Sequence, residues 1–168
     1  MAESDKFLTE QLSMRAATPE DEAFLKELYF TTREDDVAMW GLPDEQVKSL
    51  VDMQYRAQKM QYDAQYPDAR HEIILFDEKP VGRLMSTRNE TEVFGIDISV
   101  VPEHRSKGIG SVVLRGLMQE AEEQGKPFNF SVVKTNHKAI KLYQRLGVDF
   151  VGETVSHYLL QWQAGQAK

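Results

Sequence analysis

The amino-acid sequence predicts an α/β (α+β) fold, a mixed sheet of about seven strands flanked by about four helices. Three observations point there. Short apolar runs of strand character alternate with longer stretches of helical period. No repeat, low-complexity tract or long linker interrupts them, and 168 residues suit one domain with a core that needs no staples. An apolar run ending Ile98-Ser99-Val100-Val101-Pro102 also turns through Arg105-Ser106-Lys107-Gly108-Ile109-Gly110 into an amphipathic stretch.

Taken in order, Leu12 to Ala17 reads as a first strand. Thr18-Pro19-Glu20-Asp21 then starts a helix, with Thr18 as cap, Pro19 at the first helical position and acids in the first turn. Phe24, Leu25, Leu28 and Tyr29 form its apolar stripe. A break at Trp40-Gly41-Leu42-Pro43 precedes a second helix, Asp44 to about Ala64. Val47, Val51, Tyr55 and Tyr62 mark one face of it and Leu50, Met53, Ala57 and Met60 another, which predicts contact on two sides. His71 to Phe76 and Val81 to Ser86 read as a hairpin around Asp77-Glu78-Lys79-Pro80. The strand Val93 to Val101 alternates through Phe94, Ile96, Ile98 and Val100 until Val101 breaks the pattern, as a β-bulge does. A helix from about Gly108 turns Val113, Leu114, Leu117, Met118 and Ala121 inward and ends at Gly125. After a strand from Phe128 to Val133, the last helix, His137 to Leu146, ends at Gly147, and both glycines suit left-handed caps. A closing strand lies near Tyr158 to Trp162.

The turn at 105–110 has the makings of an anion site. Glycines at 108 and 110 let the backbone approach a ligand. The first turn of the next helix offers unpaired N–H groups and the positive end of its dipole, with Arg105 and Lys107 alongside. Neither the dinucleotide fingerprint Gly-x-Gly-x-x-Gly nor the P-loop spacing is present. The spacing that fits is Arg-x-x-Gly-x-Gly after a Val-x-Pro strand end. A second block follows it: Asn136-His137-Lys138-Ala139, then Leu142-Tyr143-Gln144-Arg145-Leu146-Gly147, then Gly152.

This ordered pair of blocks, over about residues 92–162, resembles the GNAT superfamily of acyl-CoA N-acyltransferases. The resemblance implies a mostly antiparallel sheet whose fourth strand is bulged and splayed from the fifth. It also implies a single domain over 1–168, with acceptor-side elements at about 12–70 and an acyl-CoA-binding core at about 92–162. Acetyl-CoA is the implied co-substrate, without a metal. Its pyrophosphate would sit on Arg105, Ser106, Lys107, Gly108, Ile109 and Gly110, and its pantetheine arm along Ile98, Ser99 and Val100. A backbone N–H around Val100 or Val101 at the bulge would polarise the carbonyl. Tyr143 would stand beside the departing sulfur. Asn136 suits the cap of the last helix and, by the resemblance, a contact with the cofactor arm. An alkyl amine of pKa about 10.4 is almost wholly protonated at neutral pH, so an acceptor of that kind calls for a base. Asp97, Glu92 and water are the candidates. Trp40 and Tyr55 are candidate walls of the acceptor pocket, or plain core residues.

Composition bounds the rest. The net charge of −7 argues against a nucleic-acid partner. Residues 1 to 46 hold twelve Asp and Glu against four Lys and Arg, an acidic half that either is solvated surface or attracts a small cationic amine as acceptor. Cysteine is absent, and the four histidines at 71, 104, 137 and 157 form no ligand pair, so no metal site is read. No apolar run reaches a membrane span, and the start Met-Ala-Glu-Ser-Asp-Lys lacks leader character, which together predict a cytoplasmic protein without a membrane partner. The apolar spread of the second helix and an exposed final strand fit a homodimer. An N-acetyltransferase is the reading; an acyl-CoA-binding sensor or scaffold that does not catalyse, and a nucleotide-binding domain, are its rivals.

Overall fold

The computed structural model describes residues 8–165. Its strands are β1 (Leu12–Ala16), β2 (Arg70–Phe76), β3 (Lys79–Arg88), β4 (Val93–Val100), β5 (Phe128–Val133), β6 (Asp149–Glu153) and β7 (His157–Trp162). They make one sheet in the order β1-β2-β3-β4-β5-β7-β6, antiparallel throughout except for the parallel pair β4 and β5. The described helices are α1 (residues 8–11), α2 (Glu22–Thr32), α3 (Glu34–Trp40), α4 (Asp44–Gln65), α5 (Ile109–Glu123) and α6 (His137–Arg145). The leader reading of residues 1–6 lies outside the described residues.

Local chemistry explains most boundaries. Asp77 and Glu78 take φ of 50° and 66°, the two-residue primed turn whose twist suits a hairpin, and Phe76 pairs with Lys79 across it. Gly125 (φ 67°) and Gly147 (φ 78°) follow α5 and α6 in the left-handed conformation expected of them. α3 is an addition to the sequence reading. Glu34, Asp35 and Asp36 form the first turn of a helix whose dipole favours them, and Gly41 (φ 64°) ends it. The final strand is also placed differently: β7 lies inside the sheet, and the edge falls to β6.

One face of the sheet packs on α5. Ile109, Val113, Leu114, Leu117, Met118 and Ala121 are buried with Ile74, Val81, Leu84, Phe128 and Phe130, each large side chain contributing about 1.5–3 kcal/mol of burial. Ile73 and Met85 alternate to the opposite face, which α2 and α4 cover through the buried Leu28, Val47, Val51 and Tyr55. On the second apolar face of α4, Met53 is 64% and Met60 73% exposed, whereas Leu50 is half-buried and Ala57 lines a cavity described below.

Two irregularities in β4 shape its surroundings. Its pairing with β3 passes from Ser86↔Gly95 to Met85↔Asp97, leaving Ile96 as an extra residue. The bulge is thus at Ile96 and not at Val101, which has already left the strand. Pairing with β5 is confined to Val93↔Phe128 and Phe94↔Asn129, after which the two strands diverge.

Candidate active site

The divergence of β4 from β5 opens a cavity of about 430 Å³. Gly95 to Ser99 line one side, Phe130 to Val133 the other, and Leu28 and Tyr29 of α2 close it with Arg33, the residue that caps that helix. Hydrogen-bond alternation fixes what β4 offers to this opening. Val101 N–H donates to Val81 C=O at 2.8 Å, so Val101 with Val81 and Ser99 with Arg83 are the bonded pairs. The backbone groups of Ile98 and Val100 therefore face away from β3, toward the gap. Val101 is corrected as an oxyanion donor because its N–H is already paired, which leaves Val100.

The bulge also decides which side chains meet. Sequence alternation groups Phe94, Ile96, Ile98 and Val100 together. With the extra residue, Phe94 and Ile96 line the side covered by α4, whereas Ile98 and Val100 pack on the core beneath α5. Asp97 consequently shares the α4 side with Ile96. There Ser99 Oγ donates to Asp97 Oδ1 at 2.8 Å, and Arg83 Nη1 lies 4.0 Å from Oδ2. The Arg83 guanidinium sits 5.9 Å from the Tyr62 ring centre. Burial, then the Asp97 charge, push the Tyr62 phenol up to about 12. It is a neutral hydrogen-bond donor at physiological pH. Glu92, the other carboxylate candidate, lines neither cavity; its Oε1 accepts from Asn129 Nδ2 at 3.1 Å.

Tyr143 and Asn136 reach the same cavity from α6. Tyr143 stands edge-on to Phe130, with centroids 4.8 Å apart at 84°, and burial raises its phenol above the usual value. Asn136 caps α6, its Oδ1 accepting from Ala139 N–H at 3.2 Å, while it also lines the cavity, so cap and wall coexist in one side chain.

The glycine loop forms as a short turn, Pro102–His104, followed by Ser106 (φ 63°) and Gly108 (φ 90°) in left-handed conformations. Lys138 on α6 hydrogen-bonds the Ser106 hydroxyl. Lys107 is exposed, and a Cβ built at Gly110 meets nothing within 4 Å. Ile109 is buried at the start of α5, which leaves only its backbone at the loop surface. Arg105 is exposed but held in place. Its Nε donates to Val100 C=O at 2.8 Å and its Nη2 to Thr31 Oγ1 at 3.1 Å.

A larger cavity, about 830 Å³, adjoins the first and shares Tyr29, Gln58, Tyr62, Ile96, Ser131 and His157 with it. Trp40 and Tyr55 line neither. Trp40 lies under the Arg33 guanidinium and Tyr55 is buried against Tyr29, both as packing residues. The acids of residues 8–46 line neither cavity. Among the described residues there is no cluster of three or more metal-ligating side chains and no helix long and apolar enough to cross a membrane.

An opening of this kind, beside a bulged fourth strand and above a glycine-capped helix, is the arrangement the sequence resemblance implies. The Acetyltransferase (GNAT) family profile matches residues 34–148, more than half of the chain. The chain belongs to the GNAT acetyltransferase family. Its fold is shared with the PaiA N-acetyltransferase of Thermoplasma acidophilum, solved in complex with coenzyme A (TM-score 0.69, 16% identity, 90% of this chain and 98% of that one). An acetyltransferase from Thermus thermophilus shares it too (TM-score 0.66, 16% identity, 91% and 97%). Curated relatives match over shorter stretches. Thialysine N-epsilon-acetyltransferase of Sus scrofa is 35% identical over 65 residues, 38% of each chain. Streptothricin acetyltransferase of Streptomyces lavendulae is 42% identical over 57 residues, 33% of this chain and 30% of that protein. These matches span well under half of the relatives' length.

In this GNAT chain several cavity-lining residues had no signal in the motifs: Arg33, Arg83, Tyr29 and His157. The glutamines of α4 had a partial one, since 54, 58, 61 and 65 recur at helical spacing beside the apolar stripe.

Proposed function

We propose that the chain is an acetyl-CoA-dependent N-acetyltransferase whose acceptor is a small cationic amine, attacking directly in a ternary complex. The observation that carries this reading is the gap between β4 and β5, faced by the backbone of Ile98 and Val100 and walled by Tyr143 and Asn136. The backbone groups of Ile98 and the N–H of Val100 on this edge suit an extended, amide-bearing arm, while the Val100 carbonyl is held by Arg105. Ser99, whose backbone is paired with Arg83 of β3, borders the cavity between them. The first turn of α5, with Arg105, Ser106, Lys107, Gly108, Ile109 and Gly110, suits a pyrophosphate.

Acetyl-CoA supplies the activated acyl carbon, whose bond to sulfur breaks as its bond to the amine nitrogen forms. The Tyr143 phenol, held protonated by burial, donates a hydrogen bond to the departing sulfur; full proton transfer to a thiolate of pKa about 8.5 is uphill. Asp97 takes the proton of the attacking amine, directly or through water. In this reading residues 1–168 act as one cytoplasmic acyltransferase unit without a metal, the acceptor side drawn from about 12–70 and the acyl-CoA side from about 92–162.

Calorimetric titration with acetyl-CoA, against NAD and ATP, tests it. Micromolar binding of acetyl-CoA alone is expected, followed by amine-dependent thiol release. Absence of binding overturns the reading, and binding without thiol release across an amine panel favours an acyl-CoA sensor.

A further inference from the structure

We propose that the acceptor carries its reactive amine on an uncharged, hydroxyl-bearing body, the chemistry of an amino sugar, and that the glutamine row of α4 selects it. The proposal rests on the acetyltransferase reading above and concerns the larger cavity. Gln54, Gln58, Gln61 and Gln65 line that cavity at intervals of four, three and four, so one helix face presents four amides to it. Each amide both donates and accepts, the pairing that vicinal hydroxyls satisfy. Gln54 Oε1 is buried and has no hydrogen-bond partner among the described residues. A buried acceptor left in this state is costly, and a ligand hydroxyl meets its need.

Aromatic rings complete the cavity. Tyr66 stacks on Phe94 with centroids 5.9 Å apart at 25°, and Tyr62 lies 6.3 Å from Tyr66. Ring faces of this kind take the apolar C–H face of a sugar while the amides take its hydroxyl rim. Charge is the discriminating feature. Among the described residues lining the larger cavity there is no Asp, Glu, Lys or Arg. A polyamine placed there would bring a second ammonium out of water with no carboxylate to receive it, and an amino acid would bring a carboxylate with no cation. The ionised side chains, Asp97, Arg83 and Arg33, lie in the smaller cavity. One ammonium at the reacting end is all that this division of charge accommodates. The volume, about 830 Å³, has room for more than a single sugar ring.

The test is thiol release from acetyl-CoA with four probes, D-glucosamine, its disaccharide, spermidine and L-lysine, in the wild-type chain and in Gln54→Leu and Gln61→Leu. The expected result is a kcat/KM for the amino sugars at least about tenfold above that for spermidine or lysine. Either substitution should raise the amino-sugar KM by about tenfold with kcat within about twofold, because the lost contact is made equally before and during reaction. Acetyl-CoA affinity, read by calorimetry, should not move in either variant. Preference for spermidine or lysine overturns the proposal and leaves the acetyltransferase reading standing. So does an unchanged amino-sugar KM in both variants. Turnover of none of the four by a protein that binds acetyl-CoA overturns the proposal and favours the acyl-CoA sensor. Failure to bind acetyl-CoA at all removes the acetyltransferase reading beneath it.

Discussion

Arg105 and Val100 are joined across the end of β4, Arg105 Nε donating to the Val100 carbonyl at 2.8 Å. The same guanidinium reaches Thr31 on α2 at 3.1 Å, so the residue that opens the glycine loop fastens it to both walls of the cavity. A point charge on a flexible stem cannot hold both bonds in one plane. Arg105→Lys should therefore weaken acetyl-CoA binding by roughly two- to tenfold, the worth of one such bond, although the charge is kept. Calorimetry reads this directly, and an unchanged Kd would mean that charge alone matters at position 105.

Tyr143 touches two things at once, the Phe130 ring and the cavity. Tyr143→Phe keeps the edge-on packing and removes only the hydroxyl. The thermal midpoint and acetyl-CoA Kd should stay near wild type while kcat falls by about tenfold or more. Turnover at the wild-type level would take Tyr143 out of the mechanism and leave it as a helix residue in the core.

Gly108 combines a backbone need with a steric one. Its φ is 90°, and an added Cβ would stand 3.0 Å from Leu8 Cδ1. Any side chain there is strained by about 1–3 kcal/mol. Gly108→Ala should lower stability by that order and retain part of the acetyl-CoA affinity, whereas Gly108→Asp adds a negative charge where a pyrophosphate would sit and should abolish binding. Equal affinities in the two variants would show that the loop needs glycine for shape only.

What could be read from the sequence and what could not divides along a physical line. Gly125, Gly147 and the turn at Asp77-Glu78 are set by the preferences of a few neighbouring residues, so they were legible. The glycine loop and the Tyr143 block were legible for the same reason. The bulge depends on how Met85 and Ser86 of another strand pair with β4, and alternation within β4 alone placed it five residues too late. That error matters at the site, because it is the extra residue at Ile96 that brings Asp97 to the α4 side. The final strand was misjudged likewise, since its position between β5 and β6 is a property of the sheet. Arg33 and Arg83 are ordinary basic residues until α2 and β3 bring both to one cavity.

Acid should expose the ion pair at the start of α2. Asp21, buried, accepts from both Arg15 terminal nitrogens at 2.8 Å and from Thr18 N–H at 2.8 Å. These bonds hold its carboxyl far below the usual carboxylate range. A depressed acid stabilises the fold above its unfolded pKa, near 3.9, and that contribution is lost as pH falls toward the folded value. Asp21→Asn should therefore melt below wild type at pH 7, and the gap should narrow progressively once the pH drops under about 4. A gap that stays constant from pH 7 to pH 3 would mean that Asp21 acts through shape and not charge.

Asp97 tests the link between the bulge and the chemistry. It lies between a hydroxyl donor, Ser99, and a guanidinium, Arg83, both of which persist if the carboxylate becomes an amide. Asp97→Asn is close in size, so folding and acetyl-CoA affinity should be kept. An amide cannot take the proton that the amine must lose, and kcat/KM for the amine should fall by about 10²-fold or more, with part of the loss recovered at alkaline pH where the free amine is abundant. Recovery with pH is the decisive readout. A loss that is the same from pH 7 to pH 9.5 would assign Asp97 to holding Arg83 in place, and the proton would then leave through water alone.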